Sequence, residues 1–159
     1  MDNLRLEINY ESLRREELST ADKELVDCAF AATKNSYANY SHFHVGAALR
    51  LKDGRIVIGA NQENAAFPSG LCAERTAVFA AQANYPDQPI VKLAIASADD
   101  HGYRELPVSP CGACRQVILE IEDRYQQPVE MLLCGKDTVL RFHSIKDLLP
   151  LSFVDSNMR

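Results

Sequence analysis

The pattern of elements along this sequence predicts an α/β fold: three layers, α/β/α, with a mixed five-stranded sheet between helices. Two observations carry the expectation. Apolar spacing switches between helical and strand periods in the order α-β-β-α-β-α-β-β-α, and its middle contains strand–helix–strand crossovers. One apolar run, Ile90–Ala98, has a single lysine and no alternation, as suits a central strand covered on both faces.

Each element has its own cue. Ser19 with Asp22 three residues later marks a helix start, and Leu25, Cys28, Ala29 and Ala32 recur at helical spacing before the pattern fades around 35–40. Strands follow over Gly46–Lys52 and Arg55–Asn61, joined by Asp53-Gly54, a strong hairpin signal. Leu71–Ala83 reads as a helix apolar nearly all round, hence buried, and Pro86 lies beyond its end. Ser109-Pro110 resembles an N-cap with proline at the first helical position, opening a helix that runs to about Tyr125. Strands at Val129–Cys134 and Thr138–Phe142 complete the sheet, and Ser144 with Asp147 starts a short last helix before Pro150.

The 159 residues fit one domain, 1–159, in which 1–18 form a charged extension reading as solvated surface. The N-terminus shows no basic-then-apolar leader, and no apolar run reaches membrane-spanning length. Five cysteines without a leader point to a reducing, cytoplasmic setting and to thiol or metal chemistry. A net charge of −5 argues against a nucleic-acid polymer as partner and for a small molecule.

The chemistry concentrates in Cys72-Ala73-Glu74 and Pro110-Cys111-Gly112-Ala113-Cys114. A C-x-x-C pair alone fits a redox couple or half of a structural zinc ribbon. The ribbon needs a second close ligand pair, and the sequence has none. Cys72, Cys111 and Cys114 together supply three ligands for one Zn²⁺, leaving the fourth position that a catalytic zinc keeps open for water. Glu74 is placed to be the acid/base for that water. Residues two apart on a helix point to different sides, so Cys72 and Glu74 must both lie at the first turn. Three thiolates overcompensate the ion, which calls for nearby positive charge. Arg75 is the first candidate and Arg115 a weaker one; surface ion pairing is the plain alternative for both. Cys28 and Cys134 read as small buried residues. His42, His44, His101 and His143 lack metal-ligand spacing; His42 and His44 flank Phe43, where a place in the pocket wall is one reading and solvent exposure the plainer one.

Four segments carry a resemblance: Tyr40-Ser41-His42-Phe43-His44-Val45-Gly46-Ala47-Ala48, Gly59-Ala60-Asn61-Gln62-Glu63-Asn64-Ala65, Cys72-Ala73-Glu74-Arg75-Thr76-Ala77 and Ser109-Pro110-Cys111-Gly112-Ala113-Cys114-Arg115-Gln116. In this order they resemble the small, all-cysteine cytidine deaminases, from Tyr40 to Phe153. The resemblance implies hydrolytic deamination of cytidine and deoxycytidine, with zinc on Cys72, Cys111 and Cys114 and Glu74 shuttling protons. It implies that Asn61 and Glu63 bind the ribose, that Phe43 packs on the base, and that backbone at Ala73 meets the pyrimidine edge. It also implies a homotetramer in which Phe67 and Phe153 reach a neighbour's pocket. Family members often carry tyrosine at the Phe67 position, so a hydroxyl contact is missing here. Two further readings stay open: a deaminase of the blasticidin type, and a zinc-stabilised binding protein without turnover.

Overall fold

The computed structural model describes residues 1–159. Its strands are β1 (Glu11–Arg14), β2 (His44–Leu51), β3 (Ile56–Ala60), β4 (Ile90–Asp99), β5 (Gly102–Tyr103), β6 (Glu130–Cys134) and β7 (Thr138–Phe142). Its helices are α1 (Thr20–Ala32), α2 (Ala73–Asn84) and α3 (Gly112–Tyr125). The strands form one sheet in the order β1-β7-β6-β4-β2-β3, with β5 paired onto the end of β4. The five expected strands form its continuous run β7-β6-β4-β2-β3. The sheet has seven strands because β1 and β5 add to it.

The sheet is mixed for the reason the element order gives. β2 and β3 form an antiparallel hairpin, with Gly54 at φ 94 in the turn. β4 and β6 are parallel, aligned Leu93 to Met131, because α3 carries the chain back between them. Alternation on β2 then divides the core. Ala47, Leu49 and Leu51 face α2 and α3, meeting Ala77, Val78, Ala81, Ile118 and Leu119. Ala48 faces α1 with Ala94, Ala96 and Leu132, against Leu25, Val26, Ala29 and Phe30. β4 is buried on both faces, as its unbroken apolar run requires.

Helix ends follow local chemistry. The Ser19 hydroxyl accepts the Asp22 amide at 3.1 Å and opens α1. The α3 N-cap is Cys111, two residues beyond the expected Ser109, so Pro110 stands before the helix rather than inside it. The last expected helix is one 3-10 turn, Ile145–Leu148, capped by the Ser144 hydroxyl. Glu122, only 4% exposed, holds that turn to α3 and β6 by accepting the amides of Val129 (2.8 Å) and Ile145 (2.9 Å) and the Ser144 hydroxyl. α2 is buried on one face only: Phe79 is half-exposed, and the sheet covers the Ala73, Ala77 and Ala81 side.

The N-terminal segment is more than solvated surface. β1 pairs antiparallel with β7, Glu11 opposite Arg141, and Tyr10 stacks on Phe142 with ring centroids 5.0 Å apart. Beneath it, buried Asp22 pairs with Lys92 and with Arg141 (3.1 Å), while Lys92 also meets Glu130 (2.8 Å) and Arg141 meets Glu11 (3.1 Å). Burial alone would raise the Asp22 carboxyl, but the Lys92 ammonium, with Arg141 adding, holds it below the usual carboxylate range. No helix is long and apolar enough to cross a membrane.

Candidate active site

Helices α2 and α3 begin side by side over the same face of the sheet, and the cysteines sit at those beginnings. Cys72 is the N-cap of α2 and Cys111 the N-cap of α3, both in extended backbone, while Cys114 lies buried in the first turn of α3. The three sulfurs lie within 4.8 Å of one another, and Cys72 and Cys111 are 3.7 Å apart. Four-coordinate zinc with sulfur at about 2.3 Å sets its ligands about 3.8 Å apart, so this donor set fits the ion. Hydrogen bonding from Cys114, with Arg75 and Cys111 adding, pulls the Cys72 thiol down to about 5. The same contact with Cys72, together with burial, drives the Cys114 thiol above its ordinary range. Without a cation, three sulfurs this close cannot all hold negative charge.

Of the two arginine candidates, only Arg75 serves this cluster. Its guanidinium donates to the Cys72 sulfur at 3.4 Å, and that bond raises its own pKa further. Arg115 instead donates to the carbonyls of Pro110 (2.8 Å) and Leu148 (2.6 Å), tying the approach to α3 to the C-terminal turn.

Because Cys72 is a cap residue and Glu74 sits in the first turn, both side chains reach one cavity despite their spacing. Glu74 is 4% exposed. Burial raises its carboxyl above the usual range, and the nearby Cys72 charge adds to the shift. The cavity, about 290 Å³, is walled by Phe43, Val45, Asn61, Glu63 and Ile95, with Ser41, Val108 and Ser109 completing it beside Cys111. An outer lobe of about 320 Å³ adjoins it through Asn61, Glu63 and Cys72, bounded by Tyr40, Gln62 and Phe67. Neither lobe is lined by a lysine or arginine.

Asn61 and Glu63 share that cavity and also fix its rim. Asn61 accepts the Val45 amide at 2.8 Å and donates to the Phe43 carbonyl at 2.9 Å. Glu63 accepts the amides of Tyr40 (2.8 Å) and Ser41 (3.2 Å) and the Ser41 hydroxyl. The Ser41 hydroxyl and then the Tyr40 amide hold its carboxyl below the usual range. Each side chain keeps spare valence after these bonds. Glu63 has further lone pairs, and Asn61 has one N–H and one lone pair.

The remaining sequence candidates scatter. Ala73 is fully buried at the start of α2 and does not line the cavity with its side chain. Phe67 is 75% exposed, edge-on to Tyr40 at 5.7 Å, and walls the outer lobe. Phe153 is half-exposed and lines neither lobe; its carbonyl accepts from Gln116 at 3.0 Å. His42 is exposed near Asp100, and His44 bonds Ser36 at 2.6 Å outside the cavity. Cys134 is a buried thiol pushed up to about 12 by burial, whereas Cys28 is only half-buried. Ser41, Val108 and Ser109 also line the site, although the sequence marks Ser109 only as a cap and gives the other two no site role. Their signal was adjacency, since Ser41 stands two residues before Phe43 and Ser109 two before Cys111.

Three sulfurs spaced to hold one cation beside a buried carboxyl are the equipment of a zinc hydrolase acting on a small molecule. Comparison with known proteins narrows the class. Residues 19–127 match the family described as the cytidine and deoxycytidylate deaminase zinc-binding region, and the chain belongs to that family. A cytidine deaminase of Halalkalibacterium halodurans is 38% identical over 134 residues, 84% of this chain and 95% of that protein. A blasticidin-S deaminase of Bacillus cereus is 30% identical over 138 residues, 86% of this chain and 94% of that protein. The crystal structure of a cytidine deaminase from Burkholderia pseudomallei superposes with a TM-score of 0.70 at 38% identity, covering 82% of this chain and 97% of that one.

Proposed function

We propose that this chain is a zinc-dependent enzyme that hydrolyses cytidine and deoxycytidine to uridine and deoxyuridine, releasing ammonia. The observation that carries the reading is the placement of Glu74, buried beside the three-thiol cluster and facing a cavity of nucleoside size. Cys72, Cys111 and Cys114 would hold the ion, which supplies a water acidic enough to give a nucleophile at neutral pH. Every proton then passes through Glu74. Its carboxylate takes one proton of the attacking water and hands it to ring N3; it then takes the second, left on the new C4 hydroxyl, and gives it to the amine, which departs as ammonia while the C4 carbonyl forms. Burial suits the task, because a carboxyl raised above its usual range is a stronger base toward the attacking water than an exposed one. Arg75 offsets the excess negative charge of the thiolates through its bond to Cys72.

The pocket supports a neutral nucleoside. Phe43, Val45 and Ile95 offer apolar walls for a pyrimidine, and the spare valences of Asn61 and Glu63 suit sugar hydroxyls. The backbone at Ala73 is assigned to the pyrimidine edge. A phosphate would meet Glu63 and Glu74 with no lining cation to receive it, so a nucleotide is disfavoured. Residues 1–159 act as one catalytic domain in this reading. The protein works in pyrimidine salvage in the cytoplasm, as a homotetramer in which exposed Phe67 and Phe153 reach neighbouring pockets.

Ammonia release and the ultraviolet change of the base test the reading, with cytidine, deoxycytidine, cytidine monophosphate and blasticidin S in parallel. Turnover of both nucleosides, inertness of the nucleotide and arrest by a zinc chelator are expected. Zinc-loaded protein inert toward both nucleosides overturns it, and turnover of blasticidin S alone assigns the pocket to that substrate.

A further inference from the structure

We infer that Gly59, on β3 and outside the cavity, is a positioning residue for the metal centre, because only its missing side chain lets the first turn of α2 sit where its thiol meets those of α3. This rests on the metal reading of the three thiols. A Cβ at position 59 would lie 2.4 Å from the Ala73 carbonyl oxygen, 2.4 Å from the Ala77 amide nitrogen and 2.9 Å from the Ala77 Cβ. Two of those contacts are helix backbone, so no side-chain rotation relieves them. The φ of Gly59 is not in the left-handed region, and the requirement is one of space.

What stands on this glycine is the metal-bearing turn. Ala73 is flanked by Cys72 and Glu74, and Ala77 lies one turn further along the helix. Alanine at position 59 would have to move the α2 backbone by at least about 0.6 Å, from 2.4 Å to the 3.0 Å below which Cβ contacts essentially never fall. Cys111 and Cys114 belong to α3, which does not rest on Gly59, so the shift opens the sulfur triangle. It also carries Glu74 away from the reacting position, where misplacement on this scale costs about a hundredfold in rate.

The same hairpin supplies a matched control. Gly46 on β2 faces the opposite side of the sheet, where a Cβ would lie 2.1 Å from the Ala29 carbonyl oxygen and 2.6 Å from the Thr33 amide nitrogen. It seats α1, which carries no thiol of the cluster. Both glycines are close helix–strand contacts, and only Gly59 seats a helix that carries a thiol of the cluster.

Gly59→Ala, Gly46→Ala and Ala77→Ser are compared with wild type by chelator competition for zinc, by thermal unfolding of the zinc-free proteins, and by kcat on cytidine. Ala77→Ser enlarges the same seam by one oxygen and carries the test if Gly59→Ala gives no soluble protein. Gly59→Ala is expected to weaken zinc binding by about tenfold or more, the scale for losing an outer support of a metal site. Ala77→Ser should weaken it in the same direction and less. Gly46→Ala should lower the unfolding temperature while its folded fraction keeps zinc affinity within about twofold, well inside that scale. Wild-type zinc affinity in Gly59→Ala, or in Ala77→Ser where that variant carries the test, overturns the inference, as does an equal loss in Gly46→Ala. A wild-type protein that takes up no zinc overturns the metal reading itself.

Discussion

Replacing Asn61 with alanine separates the two tasks of the pocket rim. The side chain makes two hydrogen bonds to the chain segment that carries Phe43, one from the Val45 amide and one to the Phe43 carbonyl. At about 0.5–1.5 kcal/mol net for each, their loss costs about 1–3 kcal/mol of stability. For a domain of this size that lowers the unfolding temperature by roughly 2–12 °C. The functional loss is larger than stability alone implies, since Phe43 and Val45 wall the cavity and the amide's spare valences go with it. A fall of about ten- to hundredfold in kcat/KM for cytidine, mostly through KM, is the scale of losing a ligand hydrogen bond and its orientation. Thermal unfolding and initial rates over a cytidine series measure both effects. A lowered unfolding temperature with wild-type KM would show that Asn61 serves the fold alone. An unchanged unfolding temperature would show that the two bonds do not hold the rim.

Asp22→Asn tests the charge network under β1. The folded Asp22 carboxyl is held below its unfolded value of about 4, so its contribution is fully present above that pH and is lost as pH falls through the folded value. Lys92 and Arg141 keep Glu130 and Glu11 as partners, so the variant should lose about 1–3 kcal/mol at pH 7, less than a fully orphaned pair. Denaturant unfolding should show the two proteins converging as pH falls through the folded Asp22 value, and a gap independent of pH would refute the assignment. Cys111→Ala should lose bound zinc and deamination together by elemental analysis and assay; full activity without metal would refute the thiol site. Deleting residues 1–14 should lower the unfolding temperature, since it bares the β7 edge and removes the Tyr10–Phe142 stack, while leaving the KM for cytidine unchanged.

Legibility in the sequence followed the strength of each local signal. β7 was expected over the residues it occupies, and Ser19 caps α1 because a serine hydroxyl followed by an exposed amide has few other solutions. β1 left no trace in the pattern. It is an edge strand with its side chains largely in water, so no apolar alternation marks it. The α3 boundary slipped because a serine before proline has the form of a cap, whereas the thiol at position 111 takes the cap place and points at the cluster. The three thiols and Glu74 were readable because metal chemistry restricts both residue type and spacing. The work of Arg115 was not, since the carbonyls it binds include one 33 residues away in sequence. Likewise, nothing in the local pattern tells that Asn61 and Glu63 hold the segment from Tyr40 to Val45.

The most direct test is one substitution read two ways, Glu74→Gln assayed for zinc content and for cytidine turnover. The amide keeps the shape of the buried side chain and cannot carry the proton. Zinc should remain at the wild-type level while turnover drops by at least about 10²–10⁴-fold, the usual worth of a positioned acid/base. Undiminished turnover with zinc in place would contradict the account, because some other group would then be moving the proton.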